Sequence, residues 1–234
     1  MVEVRSGEIG GKVSDKGMSN TQQAVSVLKD LILDNRLASG SNHLESELAK
    51  MLGMSRTPVR EATLILEAQG LVEVKPRHGV RILSISPKDM TEIYDILTEL
   101  ESLSAELAAK QNHSDEDFAG AVDAIHRMDS TLKNEDREAW AMADETFHSE
   151  LVRLGGNERI ANIFRMYSDQ VRRARKITLN LRPKPTKSND DHRRVLKAIR
   201  LGNAEQAREL HRLHRIQAKE MLIGLLEEYG FHNV

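Results

Sequence analysis

Asp144 and His148 stand four residues apart, one turn of helix, so a single helix can present a carboxylate and an imidazole to the same point. Trp140, Asp144, Phe147, His148 and Leu151 share that face, while His192 precedes Val195, Leu196 and Ile199 at helical spacing. His214 is in phase with Leu210, Gln217 and Met221. One carboxylate and three imidazoles thus stand on otherwise apolar faces of three helices. A lone histidine in such a setting is ordinarily a hydrogen-bonded core residue, but three imidazoles and a carboxylate converging point to a divalent cation. The chain has no cysteine, which removes disulfides, thiolate metal sites and thiol nucleophiles together. Any metal must therefore be held by imidazole and carboxylate, a donor set that suits Zn²⁺ or Ni²⁺ with positions left open for water or a ligand. The other histidines (His43, His78, His113, His126, His211 and His232) lack this pattern and read as surface or structural positions. A metal-dependent hydrolase is one alternative use of such a set. Against it, spacing places no separate base or nucleophile beside the ligands, since Glu145 points elsewhere on its helix. A purely structural metal is another alternative.

The elements that must position these residues follow from periodicity and caps. Six helices are expected near residues 87–110, 115–134, 136–154, 157–181, 189–201 and 204–229, with Ser114, Asn157 and Asn203 as caps. Ser86-Pro87-Lys88-Asp89 marks the start of this all-helical region. Before it, apolar residues from Thr21 to Ile32 fall at spacings of three and four, and Leu44–Leu52 reads as a second short helix ended by Gly53. A third helix follows with Ser55 as its cap and Pro58 in its first turn, Val59, Leu64 and Leu66 packing inward, and Gly70 at its end. Leu71–Lys75 and Val80–Leu83 read as a hairpin around Pro76-Arg77-His78-Gly79. The expected fold is mainly α, a winged helix-turn-helix domain followed by an all-α antiparallel bundle. The expected boundaries are a flexible tail at 1–17, a DNA-binding domain at 18–85, a metal-, effector- and dimerisation domain at 86–229, and a tail at 230–234.

Charge gives a mixed signal. The chain has 234 residues with net charge −2, which on average disfavours nucleic acid. The distribution is segregated: residues 18–86 carry +1, residues 87–159 carry −11 and residues 160–200 carry +9. Complementary helix faces are one explanation of the two opposed blocks. No apolar run is long enough to span a membrane and the start is no signal peptide, so a cytoplasmic protein without a membrane partner is expected. In a helix-turn-helix the N-terminal residues of the second helix of the motif reach base edges. Here that helix opens with Ser55-Arg56-Thr57-Pro58-Val59-Arg60, and Arg56 and Arg60 share one exposed face. Arginine suits bidentate contact with guanine, while Ser55 and Thr57 suit phosphate.

The stretches Leu44–Ala49, Leu52–Ala62, Leu66–Val72 and His78-Gly79-Val80 resemble the GntR family of transcription regulators. That resemblance implies DNA contacts from Arg56, Thr57, Arg60 and the wing residues Arg77, His78 and Gly79; a position on the second helix that is often Arg in the family is Ser46 here. Asp144–His148, Leu154–Asn157, Asp191-His192, Gly202–Glu205 and His214 resemble the FadR subfamily and its FCD domain. The resemblance implies a homodimer on a double-stranded operator, in which a metal helps to hold a small carboxylate effector. A basic partner for that effector is expected from Arg175, with Arg172 as the alternative, and Tyr167, in phase with Arg175 on the same helix, as a further contact. Many family members have Arg where Leu97 stands, and the segment Leu97–Glu101 looks more like the VanR branch, which is associated with aromatic-acid catabolism. The reading is a ligand-responsive regulator, a repressor by family precedent, and not an enzyme.

Overall fold

The computed structural model describes residues 18–230; the tail expected at 1–17, most of that at 230–234, and His232 lie outside the described residues. Helix α1 (Asn20–Leu33) starts at Ser19, whose hydroxyl accepts from the Gln22 amide while the Gln22 side chain accepts from the Ser19 amide. Helix α2 (Glu45–Leu52) stops at Gly53, whose φ of 65° is left-handed. Helix α3 (Arg56–Ala68) buries Val59, Ala62 and Leu66 against α1 and α2. Leu64 does not pack inward as expected: it is 50% exposed, because it follows Arg60 by four residues and so shares the outward face of both arginines. Ser55 has the extended backbone of a cap, but its hydroxyl makes no capping bond.

The hairpin of β2 (Val72–Lys75) and β3 (Gly79–Ile82) forms as expected, with Val72 opposite Ile82 and Lys75 opposite Gly79. A third strand, β1 (Asn42–His43), pairs with the other side of β3. Two residues are too few to show periodicity, which is why it was not legible in the sequence. Its presence explains Gly79, which has φ 86° and where a Cβ would collide with the His43 carbonyl.

The second region is helical throughout. Helix α4 (Pro87–Ala109) is capped by Ser86, with Pro in its first turn. Helix α5 (Ala119–Lys133) begins later than expected, since Ser114 and Asp117 close a separate turn on each other and Phe118 is buried ahead of the helix. Helix α6 (Arg137–Leu154) is capped by Asp136, and α7 (Glu158–Ile177) by Asn157. A short 3-10 turn (Leu179–Leu181) leads to α8 (Thr186–Arg200), which starts earlier than expected, and then to α9 (Ala204–Glu228). Two apolar clusters hold the bundle: one around Met128, Trp140, Phe147 and Val195, the other around Tyr94, Leu97, Phe164 and Leu222. The opposed charge blocks meet as complementary faces, with Arg172 at 3.5 Å from Glu145 and Arg200 at 3.6 Å from Asp115. Among the described residues no helix is long and apolar enough to cross a membrane.

The two regions dock through α7. Lys29 Nζ lies 2.6 Å from Asp169, Gln170 donates to the Gln69 carbonyl at 2.9 Å, and Lys176 Nζ lies 2.5 Å from Asp34. Arg173 is 3% exposed and donates to the Leu83 carbonyl at 2.5 Å and to the Ser39 hydroxyl.

Candidate functional site

Helices α6, α8 and α9 bring Asp144, His148, His192 and His214 together in the bundle core, all four buried. One nitrogen from each of the three imidazoles lies within 4.8 Å of the others. Asp144 Oδ2 is 3.6 Å from His148 Nε2, and Asp144 Oδ1 is 3.6 Å from His192 Nε2. Phe147 packs on His192 with ring centroids 4.2 Å apart, fixing that ring between apolar neighbours. Neither nitrogen of His192 nor Oδ1 of Asp144 has a hydrogen-bond partner. Buried polar atoms are normally satisfied, and these orphaned atoms are ones a cation would use. The residues fit a divalent metal. Burial, and then the neighbouring His214, push the His192 imidazole well below its ordinary value, so it stays neutral and able to ligate. Burial opposes the charge on Asp144, but the Arg175 guanidinium, followed by His148 and His192, holds its carboxyl far below the usual range.

Further carboxylates orient two of the rings. Glu101 on α4 is fully buried, and its Oε2 lies 2.6 Å from His148 Nδ1 and 3.2 Å from His211 Nε2. With Nδ1 of His148 held in this way, Nε2 is left to face Asp144. Asp191 lies 3.6 Å from His214 Nδ1. His211 therefore belongs with the buried group: it is 0% exposed, and burial lowers its imidazole to about 4. It stands three residues before His214, so a helical turn puts it beside the same cluster. Glu101, His148 and His211 form a second set of three buried groups with converging ligand atoms.

Two cavities flank the cluster and share His148, Arg175, Leu179 and Arg215. The first, about 130 Å³, is lined by Leu97, Met142, Glu145 and Phe164 and by Arg172 and Lys176 of α7. The second, about 270 Å³, reaches past Asp144 and His214 to the α7–α8 connection, where Arg182, Lys184 and Lys187 stand at its wall. Of the three expected effector contacts, Arg175 lines both cavities with its Nη2 already bound to Asp144 at 2.5 Å. Arg172 lines the first beside Glu145, whose carboxyl is raised by burial. Tyr167 lines neither and instead packs against the apolar cluster around Phe164. Arg215, the neighbour of His214, stands over the Tyr94 ring at 4.5 Å in the space that Leu97 also borders. Sequence reasoning missed it because an arginine on a helix is ordinarily solvated.

In the first region Arg56, Arg60, Thr57, Ser55, Arg77 and His78 are all exposed, and Gly79 is partly covered. Arg56 Nη2 is 3.8 Å from Glu45, while Ser46 on α2 is exposed. Arg77, at the wing tip, adopts a positive φ of 66°.

Comparison with known proteins decides the family. Residues 20–82 match the bacterial regulatory proteins of the gntR family, and residues 92–217 match the FCD domain. The chain is a GntR-family transcriptional regulator with an FCD domain. It is 37% identical over 145 residues, 61% of this chain and 84% of the other, to an uncharacterized HTH-type transcriptional regulator from the TAR-I ttuE-ttuC' intergenic region of Agrobacterium vitis. A probable D-xylose utilization operon transcriptional repressor of Paenarthrobacter nicotinovorans is 29% identical over 83% of this chain and 86% of its own length. A solved GntR regulator from Rhodococcus sp. RHA1 shares the fold with TM-score 0.72 and 24% identity over 88% of this chain and 99% of its own. These GntR relatives are transcriptional regulators and not enzymes, which sets aside the hydrolase alternative.

Proposed function

We propose that this regulator is a ligand-gated repressor that acts as a homodimer in the cytoplasm. Residues 18–85 form the reading head, with Ser55, Arg56, Thr57 and Arg60 at the start of α3 and Arg77, His78 and Gly79 on the wing facing DNA. Residues 86–229 form the sensing and dimerisation domain. Asp144, His148, His192 and His214 would hold a divalent ion, Zn²⁺ or Ni²⁺ by donor type. When bound, that ion supplies a Lewis-acidic pole for one anionic oxygen of a small acid, aliphatic or aromatic. Arg172 and Arg175 neutralise the ligand's charge from α7, and the apolar wall of Leu97, Met142 and Phe164 excludes water from it. The observation that carries the reading is the set of orphaned buried atoms on Asp144 and His192, next to two cavities. Helix α7 borders those cavities and also makes the docking bonds to the reading head. A ligand with different affinity for two positions of α7 would shift the separation of the paired heads.

Gel retardation on DNA upstream of the protein's own gene tests this reading. Arg56→Ala or Arg60→Ala is expected to abolish specific retardation with the fold intact, and small acids are expected to change retardation only for the metal-loaded protein. Unchanged binding by both variants would overturn the reading head. An acid response that survives chelation would overturn the metal's part in sensing.

A further inference from the structure

Two arginines beyond those assigned above have donors that the fold leaves unused. Arg215 on α9 is 3% exposed, and its Nε and Nη2 have no hydrogen-bond partner, although Nη2 lies 3.3 Å from Glu101 Oε1. Glu101 Oε2 is taken by His148 and His211, and Oε1 faces Arg215 Nη2 without forming a hydrogen bond, so both donors keep capacity for a ligand oxygen. Arg182, in the α7–α8 connection, donates from Nε to the Thr178 hydroxyl at 3.0 Å, and its Nη2 is buried without a partner. Both side chains line the larger cavity, the one that also reaches Asp144, His148 and His214. A guanidinium keeps its charge at neutral pH and presents planar N–H groups matched to a carboxylate. Burying such donors unpaired is unfavourable, and a ligand oxygen would relieve it.

We propose that Arg215 and Arg182 form a second anion-reading pole in the larger cavity, so that the ligand of this site carries two acidic groups. One group faces the Asp144, His148 and His214 wall and the other takes the free guanidinium donors. The proposal rests on the sensing-domain reading above, extends its ligand from the His148 and Arg175 wall that both cavities share into the larger one, and sharpens it from an acid to a diacid. Charge supports it: six cationic side chains line the larger cavity against two carboxylates, Asp144 and Asp191, before any divalent ion is added. A monoanion would leave the loaded site with excess positive charge. The volume of about 270 Å³ lies just below the usual range of about 300–1,000 Å³ for ligand pockets, which favours a small diacid.

Calorimetry on the zinc-loaded full chain tests this with length-matched pairs: butyrate against succinate, pentanoate against glutarate, and benzoate against phthalate. At least one diacid is expected to bind tenfold or more tighter than its partner, and Arg215→Met or Arg182→Met is expected to bring it to the monoacid's affinity without changing zinc content. Arg182, on the connection between helices, provides a variant that folds if Arg215→Met does not. Equal affinities within every pair, or a preference that survives both substitutions, overturn the second pole and leave the sensing reading intact. Binding of no acid by a protein that holds zinc overturns both.

Discussion

At the residue scale, Glu101 has more partners in the buried cluster than its place on the helix suggests. It holds Nδ1 of His148, meets His211 and stands against Arg215. Second carboxylates of this kind typically contribute about 10–100-fold to metal affinity. Glu101→Gln is therefore expected to weaken zinc binding by about that factor, measured by competition with a chromogenic chelator, while far-UV circular dichroism stays unchanged. The same cluster sets a pH dependence. His211 has its folded value lowered to about 4, against an unfolded value of about 6.5, and His192 is lowered as well. Neutral imidazole is the form that the fold accepts, so stability is full above about pH 6.5 and falls as pH drops from there towards 4. His211 alone accounts for about 3 kcal/mol of that loss in the metal-free protein. Urea denaturation of the metal-free protein at pH 7.5 and pH 5 checks it, and His211→Gln should flatten the difference.

Two helices decide how the site is reached and read. On α3 the exposed Arg56 and Arg60 leave Val59, Ala62 and Leu66 free to pack, so Arg60→Ala should cost about 1–3 kcal/mol of discrimination in each half-site, enough across a dimer to remove specific retardation, without lowering the melting temperature. On α7, Arg173 ties the reading head to the bundle through the Leu83 carbonyl and the Ser39 hydroxyl. Arg173→Ala removes charge-assisted bonds worth about 1.5–3 kcal/mol each, and is expected to speed proteolysis of the segment joining β3 to α4. Periodicity made most of the elements legible, along with the four proposed metal ligands, because those ligands fall in phase with apolar neighbours. Glu101, Arg215 and Arg182 were not legible. Glu101 lies on a helix whose partners are distant in sequence, Arg215 looks like a solvated basic residue, and Arg182 sits in a connection without periodicity. Gly79 is legible as a wing residue, but its conformational need arises from β1, which no sequence pattern marks.

For the whole molecule, the two apolar clusters hold the bundle on each side of the polar centre, so the fold does not depend on a metal for its core. Chelation should leave the chain folded with a lower melting temperature. With metal at a hundred times its dissociation constant, binding adds about 2.7 kcal/mol. For a chain of this length that corresponds to about 5–10 °C. Differential scanning calorimetry with and without chelator measures this, and global unfolding on chelation would return the site to a structural role. The net charge of −2 concealed the organisation at this scale, because the acidic and basic blocks face each other across the bundle in pairs such as Arg175 with Asp144.

Helix α7 presents Val171, Arg172 and Arg175 to the cavities and Asp169, Gln170 and Arg173 to the reading head. Over about two turns of this helix, three residues serve recognition and another three transmission, interleaved in sequence but separated around the axis, and Lys176, which lines the first cavity and bonds Asp34, touches both sides. Selection can revise the inward set without touching the outward one. A lineage could acquire a new inducer while keeping its operator and its mode of response, and exchanging only the inward positions between relatives should transplant chemical preference with the switch left in place.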